Sequence, residues 1–276
     1  MVKSKNDIAF EILVLLIITL VGLACLIPIL FVISYSLTPM EEMLRNGGFS
    51  LIPRNITFSA YKQMLNDPTL MNAMKVSAFI TIVGTAANLV VTLMLAYPLS
   101  RSYLPGRKVF VQLIVFTMIF SAGTIPTYLI VKATGILNTL WALILPSLVA
   151  VYNFIVMKAF FEGLPNDLFE SARIDGAGEA RTFVNIVFPM IKPGVGALAI
   201  FTFITAWNDY FLQLIMLNDM DVLTISLGIA KLQSELSTDY GLIMAGAALG
   251  SVPIILIFLM FQKFFTRGIT MGAVKG

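Results

Sequence analysis

The sequence predicts an all-α protein that crosses a membrane several times, and three observations support this fold class. Hydrophobic residues make up 58% of the 276-residue chain and charged residues only 12%, a balance that would leave a water-soluble domain with too little polar surface. The mean hydropathy is +0.92. The apolar residues also fall into long runs, several of which reach the roughly 20 residues that a helix needs to cross a bilayer. We therefore expect one transmembrane domain over residues 1–276, surrounded by membrane lipid.

Composition also excludes several classes of function. The net charge of +3 is too small to indicate a nucleic-acid partner. The sequence has no His and one cysteine, Cys25, which lies in an apolar run. A Cys/His metal cluster, Cys/His catalysis and a disulfide within the chain therefore all lack the residues they need. We expect a protein that is not an enzyme and has no catalytic or metal site.

Six apolar segments have the composition of membrane-spanning helices. The first lacks the short apolar core and small-residue cleavage site of a signal peptide, so we expect it to be retained. The third is interrupted by residues 121–126, and the fourth contains Pro146. In the sixth, Gly246 and Gly250 lie one turn apart and allow another helix to approach closely. The predicted spans are residues 8–35, 76–99, 109–131, 137–160, 195–217 and 242–265.

The Lys and Arg residues orient these spans, because cytoplasmic loops of membrane proteins carry an excess of positive charge. If the N-terminus is cytoplasmic, twelve of the 18 Lys and Arg residues fall on the inner side. Most of the others lie near the long first loop, where the rule is weak. Both termini and the loop 161–192 are therefore predicted to be cytoplasmic.

That loop contains a polar stretch with the pattern of two short helices separated by a glycine break. Asn166 or Asp167 can cap the N-terminus of the first helix. Gly176 and Gly178 supply backbone freedom where this helix must end. An apolar run then continues toward the fifth span.

The first of these short helices carries a small apolar ridge on an otherwise charged segment. Leu168 and Phe169 share a face with Ala172, which follows four and three residues later. The sequence offers no neighbouring core to bury this ridge, so we expect it to dock into a partner. The competing interpretation is an ordinary amphipathic loop between membrane helices.

The same stretch resembles the coupling loop of binding-protein-dependent ABC importer permeases. The family pattern is Glu-Ala-Ala, three residues, Gly, nine residues, then Ile-x-Leu-Pro. The matching residues here are Glu170-Ser171-Ala172, Gly176 and Ile186-Val187-Phe188-Pro189. Ser171 and Phe188 depart from the pattern but keep its polarity or size class.

Further segments resemble the carbohydrate-uptake branch of these permeases, and most closely its complex-oligosaccharide subgroup. They are residues 120–129 and 135–146. The C-terminal residues 268–276 are similar to the tail of the maltose-type permease, which reaches between the two ATPase subunits. The likeness covers nearly the whole chain.

The resemblance implies a six-helix type I importer permease in the bacterial cytoplasmic membrane. It implies a second homologous permease as heterodimer partner, two cytoplasmic ATPase subunits and an extracellular or periplasmic sugar-binding protein. ATP and Mg²⁺ would bind only to the ATPases, since no Gly-Lys-Ser/Thr follows the glycine pairs of this chain. The implied ATPase contacts are Leu168, Phe169, Glu170, Ser171, Ala172, Asp175 and Gly176 in the loop, with Gly272, Ala273 and Lys275 in the tail.

Polar residues inside the spans are candidates for a substrate path. They are Asn88, Asn153 and the cluster Trp207, Asn208, Asp209 and Tyr210. Amides and carboxylates suit sugar hydroxyls, and aromatic rings suit pyranose faces. The alternative is hydrogen bonding between helices, with the rings in the aromatic belt. For the two isolated Asn residues the sequence favours the interhelical interpretation, and for the cluster the two are equal.

Two other classes of function compete with a sugar importer. An importer of peptides, amino acids or anions would share the coupling loop, but it would not share the carbohydrate-branch segments. A membrane enzyme or receptor would need catalytic or sensory residues, and an intramembrane Ser/His or Asp/Asp pair is missing from the sequence. We therefore expect a permease subunit that passes oligosaccharide from a binding protein by alternating access.

Overall fold

A computed structural model describes residues 5–45, 52–232 and 239–273, with side chains between residues 8 and 263 of these ranges. Every regular element in the described residues is helical, which confirms the predicted all-α class. The α-helices are α1 (Lys5–Ser36), α2 (Met40–Arg45), α3 (Ser59–Asn66), α4 (Pro68–Ser100), α5 (Arg107–Ile119), α6 (Thr124–Ala133), α7 (Trp141–Ile144), α8 (Val151–Glu162), α9 (Asp167–Ile174), α10 (Glu179–Thr182), α11 (Phe188–Asn208), α12 (Phe211–Met216), α13 (Ile225–Leu232) and α14 (Tyr240–Ala273).

Four helical segments of the described chain are long and apolar enough to cross a membrane: Ile8–Ser36, Pro68–Ser100, Glu179–Asn208 and Tyr240–Lys263. A fifth candidate is the pair α5 and α6, which bend by 111° at the break that the sequence predicted around residues 121–126. The structure therefore gives four or five spans by length, where the sequence predicted six.

The predicted fourth span, residues 137–160, is not one continuous helix. It consists of the short helix α7 and the longer helix α8, separated by residues 145–150. Pro146 lies in this break, and a proline inside a helix removes one hydrogen bond and its ring clashes with the preceding turn. Ala150, just before α8, has an extended backbone with ψ of 109°.

The helical run at the predicted fifth span, residues 195–217, begins and ends earlier than predicted. The helical run begins at Glu179, passes through a π-helical turn at Phe183–Val187 and continues as α11. This wide turn lies directly before Pro189, whose missing N–H makes the regular pattern impossible there. The run ends at Asn208, and α12 starts after a two-residue break.

The chain forms two compact units, Met1–Met71 with Ile229–Ser251, and Asn72–Gly228 with Val252–Gly276. In the first unit, α1 exposes large apolar side chains along its membrane-length segment, as expected for a helix in lipid. The core of the second unit has two clusters. One joins α4, α7 and α12 around the buried Ile144, and the other joins α4, α8 and α11 around the buried Phe154.

Gly246 of α14 allows α13 to approach closely within the first unit. A Cβ atom at Gly246 would lie 2.9 Å from Cγ1 of Ile229, whereas one at Gly250 would lie 4.0 Å from Cδ1 of the same residue. The glycine pair therefore acts in packing, as the sequence predicted, but only one of the two is in tight contact.

Substitution of these two glycines by alanine should have opposite effects. Gly250→Ala should raise the free energy of unfolding by about 0.5–1 kcal/mol, because glycine destabilises a helix interior by that amount. Gly246→Ala should lower it, because overpacking costs about 1–3 kcal/mol. Thermal unfolding of the purified variants in detergent measures the difference, and equal shifts of the same sign would contradict it.

Candidate functional site

A cavity of about 450 Å³ in the second unit brings together three of the predicted substrate-path residues. Asn88 of α4, Asn153 of α8 and Asp209 of the break after α11 all line it. Its remaining lining residues are Ile80, Gly84, Leu143, Ile144, Ser147, Val149, Ala150, Tyr152, Phe201, Thr202, Thr205, Ala206 and Gln213. Residues far apart in the sequence thus meet around one space within the helices.

Asn88 holds the broken fourth segment in place. It is 2% exposed, and its Nδ2 donates hydrogen bonds to the carbonyl oxygens of Ser147 and Leu148 at 2.7 and 3.1 Å. Both carbonyls belong to the break between α7 and α8, where a helix would otherwise pair them. The side chain of α4 therefore replaces the missing intrahelical partners of another segment.

Asn153 extends this network from α8 to two further helices. Its Nδ2 donates to Oδ1 of Asn88 at 2.8 Å and to Oγ1 of Thr202 at 2.9 Å. The interhelical hydrogen bonding that the sequence favoured for the two Asn residues is therefore confirmed. The same amides line the cavity, so a structural role and contact with a solute are compatible.

Asp209 and Gln213 occupy the end of the cavity where α11 gives way to α12. Asp209 accepts a hydrogen bond from the backbone N–H of Leu212 at 3.2 Å, which explains why a new helix begins here. Gln213 is buried and pairs with Thr224 through their side chains. Gln213, Thr202 and Thr205 were missed by the sequence analysis because single hydroxyl and amide residues are common in apolar helices.

The other three members of the Trp207 cluster lie outside the cavity lining. Trp207 is 4% exposed and stacks on Phe203 with ring centroids 5.9 Å apart. Asn208 donates to the carbonyl of Ile204 on its own helix. Tyr210 is 41% exposed. The structure thus divides a cluster that is contiguous in sequence and brings only Asp209 to the cavity.

The chemistry of the lining suits a neutral, hydroxyl-rich solute better than an ion. Among the described residues that line the cavity, Asp209 alone carries a charge, and the other polar groups are amides and hydroxyls. Apolar and aromatic side chains form the rest of the wall, which is typical of small-molecule sites.

The predicted coupling loop folds as a short helix, a turn and a second helix. In α9, the carbonyls of Ala172 and Arg173 accept hydrogen bonds from the backbone N–H groups of Ala177 and Gly176 at 2.9 and 3.0 Å. This pairing, with Gly176 at φ +72°, is a Schellman motif. The predicted side-chain cap is wrong, because Asn166 precedes α9 with a helical backbone and makes no capping bond.

The apolar ridge of α9 faces the chain itself. Ala172 is 2% exposed, and Phe169 packs against the core cluster around Phe154. The expectation of an unburied ridge is therefore wrong, because the ends of the neighbouring helices cover it. The surface of α9 instead presents Glu170, Ser171, Asp175 and, at 86% exposure, Ile174, while Leu168 is half-buried.

Arg101, directly after α4, covers the Phe169 part of this ridge. The Cζ atom of its guanidinium lies 3.5 Å from the ring centroid of Phe169 and 4.8 Å from that of Tyr97. Arg101 is 8% exposed, and its buried Nε and Nη2 have no hydrogen-bond partner among the described residues. Burial lowers the pKa of Arg101. Unpaired donors of this kind cost about 1–3 kcal/mol each, and a desolvated cation–π contact offsets about 2 kcal/mol.

Glu179, the first residue of α10, joins the same region through its carboxylate. It accepts hydrogen bonds from the hydroxyls of Tyr97 at 3.0 Å and Tyr103 at 2.8 Å, and it forms an ion pair with Arg173 at 3.3 Å. Burial and the bond to Glu179 raise the pKa of Tyr103. The sequence did not single out Glu179, because it is one of the nine residues after Gly176 that the coupling-loop motif leaves unspecified.

The family of the chain follows from its sequence over most of its length. Residues 75–271 match the family described as binding-protein-dependent transport system inner membrane component. The chain belongs to this family. It is therefore a transport permease, a multi-pass protein of a bacterial inner membrane, and not an enzyme.

Individual relatives are similar to this permease along almost their whole lengths. It is 36% identical to Protein LplC of Bacillus subtilis (strain 168), over 99% of this chain and 97% of LplC. It is 34% identical to the polygalacturonan/rhamnogalacturonan transport system permease protein YtcP of the same organism, over 99% of this chain and 100% of YtcP.

A solved structure supports the permease fold. The crystal structure of a bacterial ABC transporter involved in the import of the acidic polysaccharide alginate contains a chain with a TM-score of 0.86 and 26% sequence identity. The match covers 96% of this permease and 99% of that chain. The predicted ABC importer permease fold is thereby confirmed.

The predicted ATPase-contacting tail lies at the limit of the described residues. Gly272 and Ala273 are the last residues of α14, of whose side chains nothing is described, and Lys275 lies outside the described residues. The roles of the tail and of the coupling-loop residues stay predictions.

Replacing Asn88 should destabilise the permease more than replacing an exposed Asn. Asn88→Leu keeps the volume but leaves the carbonyls of Ser147 and Leu148 unpaired, so the free energy of unfolding should fall by about 1–3 kcal/mol for each buried group. The matched control is Asn208→Leu, which should change it by less than about 0.5 kcal/mol. Thermal unfolding in detergent measures both, and equal losses would show that the Asn88 bonds do not hold the break.

Two glycines of the coupling loop should differ in their tolerance of alanine. Gly176 has φ of +72°, where an L-residue is strained by about 1–2 kcal/mol. Gly178 has φ of −69°, and a Cβ atom would meet nothing within 4 Å at either position. Gly176→Ala should therefore speed amide hydrogen exchange in α9 by roughly 5- to 30-fold. Gly178→Ala should leave it unchanged, and a similar effect of both would contradict the role of the left-handed backbone.

Proposed function

We propose that this permease is one of two transmembrane subunits of an ATP-driven importer of oligosaccharides. It receives substrate from an external binding protein and passes it across the membrane by alternating access. A second, homologous permease completes the passage as a heterodimer partner. Two cytoplasmic ATPases bind ATP and Mg²⁺ and drive the cycle, so this chain holds no nucleotide itself.

The observation that carries the ATPase assignment is the exposed end of α9. Ile174 is 86% exposed, beside the exposed carboxylates of Glu170 and Asp175. A single exposed apolar side chain is ordinary by itself, but this one lies on the short helix of the segment that matches the coupling-loop motif. The glycine turn and the buried Ala172 face fix this end relative to the core of the permease. We therefore propose that Ile174, Glu170, Ser171 and Asp175 form the contact with one ATPase.

The sugar assignment is supported by the cavity and by the relatives. Amides, hydroxyls and aromatic rings around about 450 Å³ suit the hydroxyls and faces of a sugar. YtcP transports polygalacturonan or rhamnogalacturonan, and the transporter with the similar structure imports alginate. These substrates favour an oligosaccharide over the alternative, a peptide or an amino acid.

In the proposed cycle, binding of ATP closes the two ATPases. This movement displaces the coupling helix of each permease, which is α9 in this chain. The displacement rocks the membrane helices, and the cavity opens to the opposite side of the membrane. ATP hydrolysis then resets the ATPases. In this cycle the permease contributes the passage and the helices that transmit the movement, and the ATPases contribute ATP hydrolysis.

Co-purification tests this proposal. The affinity-tagged chain, expressed in its native host and extracted in mild detergent, should bring down an ATPase and a second permease of similar size. Ile174→Asp should lose most of the ATPase, because a carboxylate cannot enter an apolar contact without a large desolvation cost, yet keep the second permease. Ile174→Leu is the matched control and should keep both partners.

Uptake completes the test. Cells in which the gene for this permease is deleted should lose uptake of radiolabelled neutral oligosaccharides, such as arabinooligosaccharides, and keep uptake of radiolabelled peptides. A tagged chain that brings down no ATPase contradicts the importer assignment. Loss of peptide uptake with normal oligosaccharide uptake contradicts the substrate class.

A further inference from the structure

The residues around Arg101 connect the coupling helix to a membrane helix in a way that the family motif does not include. We name them the clasp, and they are Tyr97, Arg101, Tyr103, Phe169, Arg173 and Glu179. Tyr97 lies near the end of α4, and Arg101 and Tyr103 follow that end. Phe169 and Arg173 belong to α9, and Glu179 begins α10.

Two independent contacts hold α9 within the clasp. On one side, the guanidinium of Arg101 is stacked on the ring of Phe169 at 3.5 Å. On the other side, Arg173 forms the ion pair with Glu179, and its guanidinium lies 4.8 Å from the ring centroid of Tyr103. Tyr97 contacts both sides, since its ring lies under Arg101 and its hydroxyl donates to Glu179.

The clasp buries a charged side chain, which an ordinary surface loop does not do. Arg101 is 8% exposed with two donors unpaired among the described residues, and a charge in such a place is unfavourable unless its neighbours hold it there. The aromatic face of Phe169 and the carboxylate of Glu179 supply that stabilisation. A displacement of α9 alone would break both contacts and expose the guanidinium, so α9 and the end of α4 are expected to move together.

The other part of this connection is α4 itself. Asn88 lies on α4, 13 residues before Arg101, which directly follows the end of that helix; 13 residues of helix span about 20 Å at 1.5 Å per residue. Asn88 binds the break between α7 and α8 and lines the cavity. A movement of the α4 end would therefore reach the wall of the cavity along one helix, which runs unbroken from Asn88 to Ser100 with Pro98 in its last turn.

We propose that Arg101 and Glu179 are positioning residues that lock the coupling helix to α4, so that displacement of α9 by its partner changes access to the cavity. They touch neither substrate nor nucleotide and act through the position of α9. The inference rests on the proposed function, because it assumes that a nucleotide-driven partner moves α9.

The test measures assembly, transport and cavity access in the complete complex. Arg101→Met removes the stacking contact and replaces the guanidinium by an apolar end on an unbranched side chain. It should leave co-purification of the ATPase unchanged and lower oligosaccharide uptake per ATP hydrolysed on the order of tenfold, within the range of typical coupling between sites. Arg101→Lys keeps a cation for the ring and should recover part of the loss. Arg54→Met, at an exposed arginine outside the clasp, is the matched control.

A thiol in the cavity wall reports access directly. The lone cysteine is exposed and can be removed as Cys25→Ser, after which Thr205→Cys places one thiol on the cavity wall. The rate at which a maleimide reagent modifies this thiol should change when ATP, Mg²⁺ and vanadate are added to the complex. With Arg101→Met or Glu179→Gln in the same background, this change should be lost.

Each outcome separates the two proposals. If the unsubstituted chain brings down no ATPase, the proposed function is wrong. If it brings one down but Arg101→Met keeps the wild-type uptake per ATP and the wild-type change in thiol labelling, only the clasp inference is overturned. Loss of the ATPase from Arg101→Met in parallel with uptake also overturns it, because the residue would then act in docking.

Discussion

The pairing of backbone polar groups inside an apolar medium is the constraint on which this structure depends. A continuous helix satisfies it by itself, but the permease contains breaks between apolar helices, and each break frees carbonyl and N–H groups. At the break between α7 and α8, the Asn88 amide donates hydrogen bonds to two of the freed carbonyls. At the break after α11, the carboxylate of Asp209 accepts a hydrogen bond from the backbone N–H of Leu212. The polar residues of the cavity are thus, first of all, the partners of broken helices.

This constraint explains why a cavity and polar side chains coincide. A straight bundle of helices has no need of amides in its core, and it also leaves little space. Broken segments leave space and require polar groups around it, so a place where a solute can bind forms together with its hydrogen-bonding wall. A solute in this cavity would contact groups that already have structural partners, as Asn153 does with Asn88 and Thr202.

The sequence predicted the features that depend on long patterns and missed those that depend on single contacts. Long apolar runs predicted most of the membrane-length helices, and the spacing from Glu170 to Pro189 indicated the permease family. Hydropathy does not register hydrogen bonds, so the breaks at residues 145–150 and after Asn208 lay inside predicted spans. Helical periodicity placed Phe169 and Ala172 on one face but did not indicate what covers them. Arg101 covers that face through a contact between residues 68 positions apart, which no local pattern contains.

The two parts of α4 that make these contacts use different physical interactions because their surroundings differ. Asn88, deep among apolar side chains, joins its neighbours through neutral amides and carbonyls, since a charge there would require much more stabilisation. Arg101, after the end of the helix, uses a cation held between aromatic rings and near a carboxylate. Neutral hydrogen bonds are short in range and fix one geometry, which suits the wall of a cavity. Ring stacking tolerates some sliding while keeping its attraction, which would suit the proposed link between α9 and α4.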